Sequence, residues 1–143
     1  MKTIHTASDD AAILACREVI LSLRPHLLHT NLVAQVKEMQ NENYHIIYIT
    51  ADDQPSKVVA FAGFRYMQKL HSGKHIYIDD LATLPEYQGK GYASLLLRYI
   101  KSLAQTAGFH SVQLDSGHLL HPAHKVYHKE GYFISAHHFS QPL

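Results

Sequence analysis

The stretch Gln88-Gly89-Lys90-Gly91-Tyr92-Ala93 is the part of this sequence best suited to holding an anion. It stands between a run of strand-forming residues and the start of a long helix-forming run. A helix N-terminus leaves backbone N–H groups unpaired and carries partial positive charge, so it attracts phosphate. Glycines at 89 and 91 let the backbone approach a bulky pyrophosphate, and Lys90 adds positive charge. Two nucleotide motifs are excluded. A P-loop needs Gly-Lys followed by Ser or Thr, but Lys90 precedes Gly91-Tyr92. A Rossmann fingerprint needs a third Gly or Ala where this chain has Ser94, and a parallel βαβ start. Without further context, two glycines also suit a plain strand-to-helix turn.

Thirteen histidines are the compositional oddity, with a loose cluster at His118, His121, His124 and His128. His121, His124 and His128 fall at i, i+3 and i+7 and share a helix face. Two histidines at i, i+4 can chelate zinc. No cysteine lies nearby and no carboxylate stands at an obvious third position, so a solvated or partly buried helix face is the favoured reading and no metal is expected.

These residues must be positioned by a small scaffold. The chain has 143 residues, the size of one domain, so 1–143 is read as a single unit. Thirteen Lys and Arg oppose twelve Asp and Glu, which excludes a dominant electrostatic footprint for nucleic acid. No apolar run approaches the roughly 20 residues that span a bilayer. Met1 to Asp10 is polar, unlike a signal peptide, and Cys16 has no cysteine to pair with. The expected location is the cytoplasm.

The patterning predicts a strand over Met1–Thr6, then a helix over Asp9–Leu23 capped by Ser8 and stopped at Arg24-Pro25. A second helix is predicted from about Asn31 to Asn41. Three strands follow, Tyr44–Thr50, Val58–Met67 and His75–Leu84, as an antiparallel meander. The middle one is nearly continuous in apolar residues, so it should be covered on both faces. After the glycine loop a helix runs to about Thr106, with Leu95, Leu96, Tyr99, Ile100 and Leu103 on one stripe. A short strand, Ser111–Asp115, is expected to lie parallel to its neighbour. Pro122 opens a helix through Lys129, and Tyr132–Ser140 is predicted as the last strand. The fold class is α/β: a mixed, mostly antiparallel central sheet flanked by helices.

The stretch Asp80 to Ala93 closely resembles the main coenzyme-binding motif of the GNAT acetyltransferases, Gln/Arg-x-x-Gly-x-Gly/Ala between strand and helix, met here by Gln88, Gly91 and Ala93. The resemblance extends from about Met1 to Phe139 in element order. It implies that Gln88, Gly89, Lys90, Gly91, Tyr92 and Ala93 cradle the pyrophosphate of acetyl-CoA. It also implies a bulge in the strand at Asp79 to Thr83, where Leu81, Ala82 and Thr83 pair with the pantetheine arm, with Leu81 or Ala82 N–H as oxyanion donor. Ala123 to Tyr132 resembles a second family signature, Ala-x-x-x-Tyr-x-x-x-Gly-Phe. The resemblance implies Tyr127 as the acid for the leaving thiolate; the alternative is a core tyrosine that packs this helix on the sheet. Many members carry Asn where this chain has Leu120.

The resemblance further places Asp79 and Asp80 nearest the thioester, where either takes a proton from the amine or holds an ammonium group. Only one can face the site unless a bulge intervenes. His75 and His118 are weaker candidates. The C-terminal third is similar to the aminoalkylphosphonate N-acetyltransferase branch, which is associated with divalent metals; this points to a small amine acceptor. Arg24 could meet an acidic group on a substrate. The implied activity is direct transfer in a ternary complex, with no nucleic-acid or membrane partner and a possible homodimer. The competing functions are a non-catalytic acyl-CoA-sensing module of the same fold and a metal-binding protein built on the histidines.

Overall fold

Seven consecutive residues of the central strand, Val58 to Phe64, are buried, which requires layers on both faces of the sheet. The computed structural model describes residues 2–143; Met1, where the first predicted strand begins, lies outside them. The elements are β1 (Ile4–Thr6), α1 (Asp10–Ala15), α2 (Arg17–Leu23), α3 (Leu32–Gln40), β2 (Tyr44–Thr50), β3 (Val58–Lys69), β4 (Gly73–Thr83), α4 (Tyr92–Thr106), β5 (Ser111–Leu114) and α5 (His121–Lys129). The described strands form one five-stranded sheet in the order β1-β2-β3-β4-β5. The first four are antiparallel, and β5 joins β4 in parallel. This is the predicted mixed, mostly antiparallel architecture.

The two covers follow from apolar periodicity. Leu96, Leu97, Ile100 and Ala104 bury one stripe of α4, while Ile13, Val19, Ile20, Leu32 and Val36 bury the inward faces of α1 to α3. Both α2 and α4 pack on β3 and β4. Ile46 and Phe61 face α2 and α3, where they floor a cleft.

Three expectations are corrected. The helix predicted over Asp9–Leu23 is two helices, because the Cys16 N–H bonds Ile13 O at 3.1 Å, a three-residue turn, before Ile20 N–H resumes with Cys16 O. Its cap is Asp9, whose carboxylate accepts from Ala12 N–H at 2.8 Å, and not Ser8. The last strand, Tyr132–Ser140, does not form: these residues lie outside the ladder, and 133–143 are exposed throughout. Strand-forming side chains report a propensity, but a strand exists only where a neighbour accepts its hydrogen bonds.

Candidate active site

The site begins with an irregularity in β4. Gly63 pairs with Asp80 and Phe64 with Ile78, so Asp79 has no residue opposite it. Such a bulge bends the strand and re-aims its side chains. Just there, the β4–β5 pairing also ends, at Ile78↔Leu114. From Asp79 onward, β4 therefore has a free edge.

The direction of its backbone groups follows from one hydrogen bond. Leu84 N–H donates to Val59 O at 2.8 Å. The alternation of an antiparallel ladder then turns the N–H and C=O of Ala82 toward β3, and those of Leu81 and Thr83 toward the free edge. Gln88 Nε2 donates to Thr83 O at 3.3 Å on that side. Of the three residues singled out for a pantetheine arm, Leu81 and Thr83 thus offer backbone groups, whereas Ala82 spends its own on the sheet.

This free edge leads into the glycine loop. Pro85–Tyr87 makes a single 3-10 turn, and Gly89 and Gly91 follow with φ of 78° and 83°. Side chains with a Cβ rarely adopt that left-handed region. Gly91 is the N-cap of α4, so the helix has no side-chain cap, and its first turn carries no acidic residue. The first helical bond is Leu95 N–H to Gly91 O. The N–H groups before it are available to an anion. A Cβ built on either glycine meets no atom within 4 Å, so the loop faces open space. Uncapped donors, glycine backbone and open space together fit a pyrophosphate. Tyr92 is 5% exposed, so its side chain belongs to the core and only its backbone faces the loop.

Cations gather here. Lys90 Nζ lies 4.9 Å from the Tyr87 ring centroid. Lys2 Nζ donates to Lys90 O at 2.8 Å and sits 4.1 Å from the Tyr92 ring centroid. Sequence patterning carried no signal for Lys2, which arrives from the far end of the chain.

Both aspartates face a cleft of about 440 Å³ between α2, α3 and the sheet, lined also by Arg24, Tyr44, Phe61 and Tyr77. The bulge is what lets two consecutive strand residues share one side. Their surroundings differ. Both oxygens of Asp80 are engaged: Oδ1 accepts from Arg24 Nε at 3.0 Å and forms an ion pair with Arg24 Nη2 at 2.9 Å, and Oδ2 accepts from Tyr44 OH at 2.6 Å. Asp79 Oδ2 accepts from Arg65 Nε at 2.9 Å, while its Oδ1 is buried with no hydrogen-bond partner. Burial pushes the Asp79 carboxyl above its ordinary value, and Arg65 opposes that shift. Arg65 is also held by Glu42 at 2.9 Å. Burial, reinforced by the Asp80 charge, likewise raises the Tyr44 phenol, so Tyr44 is a donor at neutral pH. Arg24, a candidate for an acidic substrate group, is engaged by Asp80 and by Asp79 O at 3.1 Å.

Tyr127 lies on α5 and does not line this cleft. Burial raises its phenol, and the nearby Ser116 hydroxyl weakly opposes that. Ser116 Oγ is itself buried and completes no hydrogen bond. α5 is tied to α4 by a bidentate pair, Arg98 Nε and NH2 to the two oxygens of Glu130 at 2.9 and 3.0 Å. The cleft and Tyr127 are linked along the chain: Tyr77 donates to Asp115, and Ser116 follows. Patterning did not single out Tyr44, Arg65, Tyr77 or Ser116. Gly63, a lone glycine among bulky strand residues, was the available sign of a close approach.

The histidines fall elsewhere. His75 is fully buried, with Nδ1 3.1 Å from Gly73 O, and does not reach the cleft. His118 does not line it either. His124 Nε2 lies 2.9 Å from Gly117 O and His128 Nδ1 3.2 Å from Tyr132 O. Among the described residues no three His, Cys, Asp or Glu side chains converge on a point that could hold a metal ion. No described helix is long and apolar enough to cross a membrane.

Comparison with known proteins agrees with this geometry. A Bacillus subtilis (strain 168) protein described as the uncharacterized N-acetyltransferase YhdJ is 31% identical over 106 residues, covering 73% of this chain and 72% of its own. Among solved structures, AAC(6')-Iy bound to the bisubstrate analog CoA-S-monomethyl-acetylneamine superposes with a TM-score of 0.84 at 14% identity, over 100% of this chain and 98% of its own. A ribosomal-protein-alanine N-acetyltransferase from Brucella melitensis biovar Abortus 2308 gives 0.81 at 13%, over 99% of both. At such identities the likeness is one of fold. The model of the acetyltransferase (GNAT) family matches residues 14–132, and the chain belongs to that family.

Proposed function

We propose that this protein transfers the acetyl group of acetyl-CoA to the primary amine of a small molecule, by direct attack in a ternary complex. The observation that carries the proposal is continuity: the free β4 edge at Leu81 and Thr83 runs into the uncapped N-terminus of α4 at Gly91, and the other end of that edge opens on a carboxylate-walled cleft. Two solved structures of AAC(6')-Iy, which has the same fold, are described with CoA and with the bisubstrate analog CoA-S-monomethyl-acetylneamine, which supports acetyl-CoA as cosubstrate.

In this proposal the backbone of Gly89 to Ala93, with Lys90 and Lys2, holds the pyrophosphate. Leu81 and Thr83 add the pantetheine arm to the sheet edge. The Leu81 N–H is the oxyanion donor, since the Ala82 N–H is directed at β3. The amine nitrogen attacks the thioester carbonyl carbon, the C–S bond breaks, and the coenzyme leaves as thiolate. Asp79 accepts the amine proton: burial raises its proton affinity and its Oδ1 has no partner, whereas both oxygens of Asp80 are taken by Tyr44 and Arg24. Tyr127, protonated at neutral pH, supplies the proton to the thiolate. A cytoplasmic site of action fits a chain whose one cysteine, Cys16, is free and buried. Thiol release in the presence of acetyl-CoA, across small amines, aminophosphonates, polyamines, aminoglycosides and peptide N-termini, tests the proposal. Turnover confined to peptides would overturn the small-amine acceptor.

A further inference from the structure

Both guanidinium groups beside the acceptor cleft are already spent. Arg24 lines the cleft, with Nε and Nη2 at 3.0 and 2.9 Å from Asp80 Oδ1. Its Nη2 also donates to the Asp79 carbonyl oxygen at 3.1 Å. Arg65, on β3, donates Nε to Asp79 Oδ2 and Nη1 to Glu42 Oε2, each at 2.9 Å. An acidic group on an incoming molecule would have to displace one of the protein's own carboxylates from either arginine.

Asp80 is not free to give way. Its side chain is 14% exposed, and Oδ2 accepts from the Tyr44 hydroxyl at 2.6 Å. Tyr44 is itself buried, packed over Gly63. Were Asp80 to swing aside and release Arg24, it would strand a buried phenol without its acceptor.

The charge count points the same way. In the lining, Arg24 opposes Asp79 and Asp80, one positive charge against two negative, which leaves one negative charge. Arg65 and Glu42, behind them, cancel each other. Asp79 Oδ1 is buried and has no partner. One ammonium group answers both the surplus charge and the orphan oxygen. A carboxylate or phosphonate on the same molecule would meet like charge, a juxtaposition that is costly where water is scarce. Much of the remaining lining is apolar, Leu27, Leu32, Met39 and Phe61 among it, and suits an uncharged body.

We infer that this cleft selects against acidic acceptors, that Asp80 enforces the selection by holding Arg24, and that the acceptor is a primary amine whose body carries no carboxylate or phosphonate. The inference rests on the reading of the cleft as the acceptor site of an N-acetyltransferase. Asp80 is the repulsive element of the site. It occupies the one lining guanidinium that an acid would seek, and it adds its own charge against that acid. Aminoalkylphosphonates fall in the disfavoured class.

The test compares acceptors that differ in charge and little else: γ-aminobutyrate and γ-aminobutyramide, with aminopropylphosphonate as a second acid. Binding is followed by NMR shift titration of the cleft residues, and turnover by thiol release from acetyl-CoA. Both are read at about pH 8, where an ordinary histidine is neutral, so that His26 in the lining adds no charge. The parent is expected to prefer the amide over either acid by about tenfold or more. Asp80→Asn frees Arg24 and is expected to narrow that ratio, gaining affinity for the acids while losing it for the amide. Arg24→Gln removes the cation and is expected to widen the ratio. Damage to the fold would weaken all three ligands together, so the opposed shifts report selection. Should Asp80→Asn fail to fold, Arg24→Gln carries the test. Equal or tighter binding of the acids by the parent overturns the inference, as does a ratio that neither variant moves, or no shift with any of the three. Selective binding without thiol release from any amine leaves the selection standing and contradicts the transferase reading. Thiol release with acids and amide alike does the reverse.

Discussion

The Tyr44 hydroxyl reaches Asp80 by lying over Gly63, the residue paired with Asp80 across the β3–β4 ladder. A Cβ on residue 63 would overlap the Tyr44 hydroxyl and lie 2.5 Å from the ring carbon that bears it. The absence of one methyl group on β3 thus lets a tyrosine from β2 fix a carboxylate on β4.

Gly63→Ala is therefore expected to expel Tyr44 from its place. Overpacking of this kind costs about 1–3 kcal/mol. Denaturant unfolding should show that loss, and the acceptor KM should rise while coenzyme affinity holds. A parental acceptor KM in a destabilised Gly63→Ala protein would separate Tyr44 from acceptor binding.

Asp79 and Asp80 are expected to part company in pH profiles. As the proton acceptor, Asp79 gives the rate an acidic limb displaced upward from the ordinary aspartate value, and Asp79→Asn removes that limb and most turnover. Asp80→Asn should instead raise acceptor KM. Stability carries the same sign information. The native carboxyl of Asp79 lies above its unfolded value of 3.8. Its contribution to stability is therefore fully present below that value and is lost as pH rises through the raised native pKa. Between acid and neutral pH, the unfolding free energy of the parent should therefore fall relative to that of Asp79→Asn, which lacks the titrating group.

Much of this architecture was legible from periodicity. The change from helical to alternating pattern located β2 to β4, and the glycines located the start of α4. What escaped depends on register or on a neighbour. The bulge at Asp79 leaves no mark on the local pattern and was legible only through the family resemblance, yet it decides that both aspartates face the cleft. Tyr44 and Arg24 meet Asp80 only after strands 36 residues apart and a helix end 56 residues away are brought together. The terminal strand was over-read because Tyr132 to Phe139 has strand composition but no hydrogen-bonding neighbour within the molecule.

Gly91 tests the pyrophosphate cradle, and its φ of 83° dictates which substitution is informative. Valine would strain the left-handed turn whatever it did to the ligand, whereas asparagine tolerates that region. Gly91→Asn should keep the fold, seen in an unchanged thermal transition to within a few degrees, and should weaken acetyl-CoA binding in calorimetry. Parental affinity in the folded variant would remove this loop from coenzyme binding.

Tyr127→Phe deletes one hydroxyl and almost no volume. Loss of general acid catalysis lowers turnover by about 10² to 10⁴, with coenzyme affinity little changed. A large fall in affinity would instead mean that the hydroxyl holds the coenzyme arm.

The most direct measurement follows free thiol and N-acetylated product together, with purified protein, acetyl-CoA and a panel of small primary amines. The account predicts equal amounts of thiol and N-acetyl product for at least one small amine, with both lost in Asp79→Asn and Tyr127→Phe. Tight acetyl-CoA binding with no thiol released by any amine would contradict it, and would mark the protein as an acyl-CoA-binding module of the same fold.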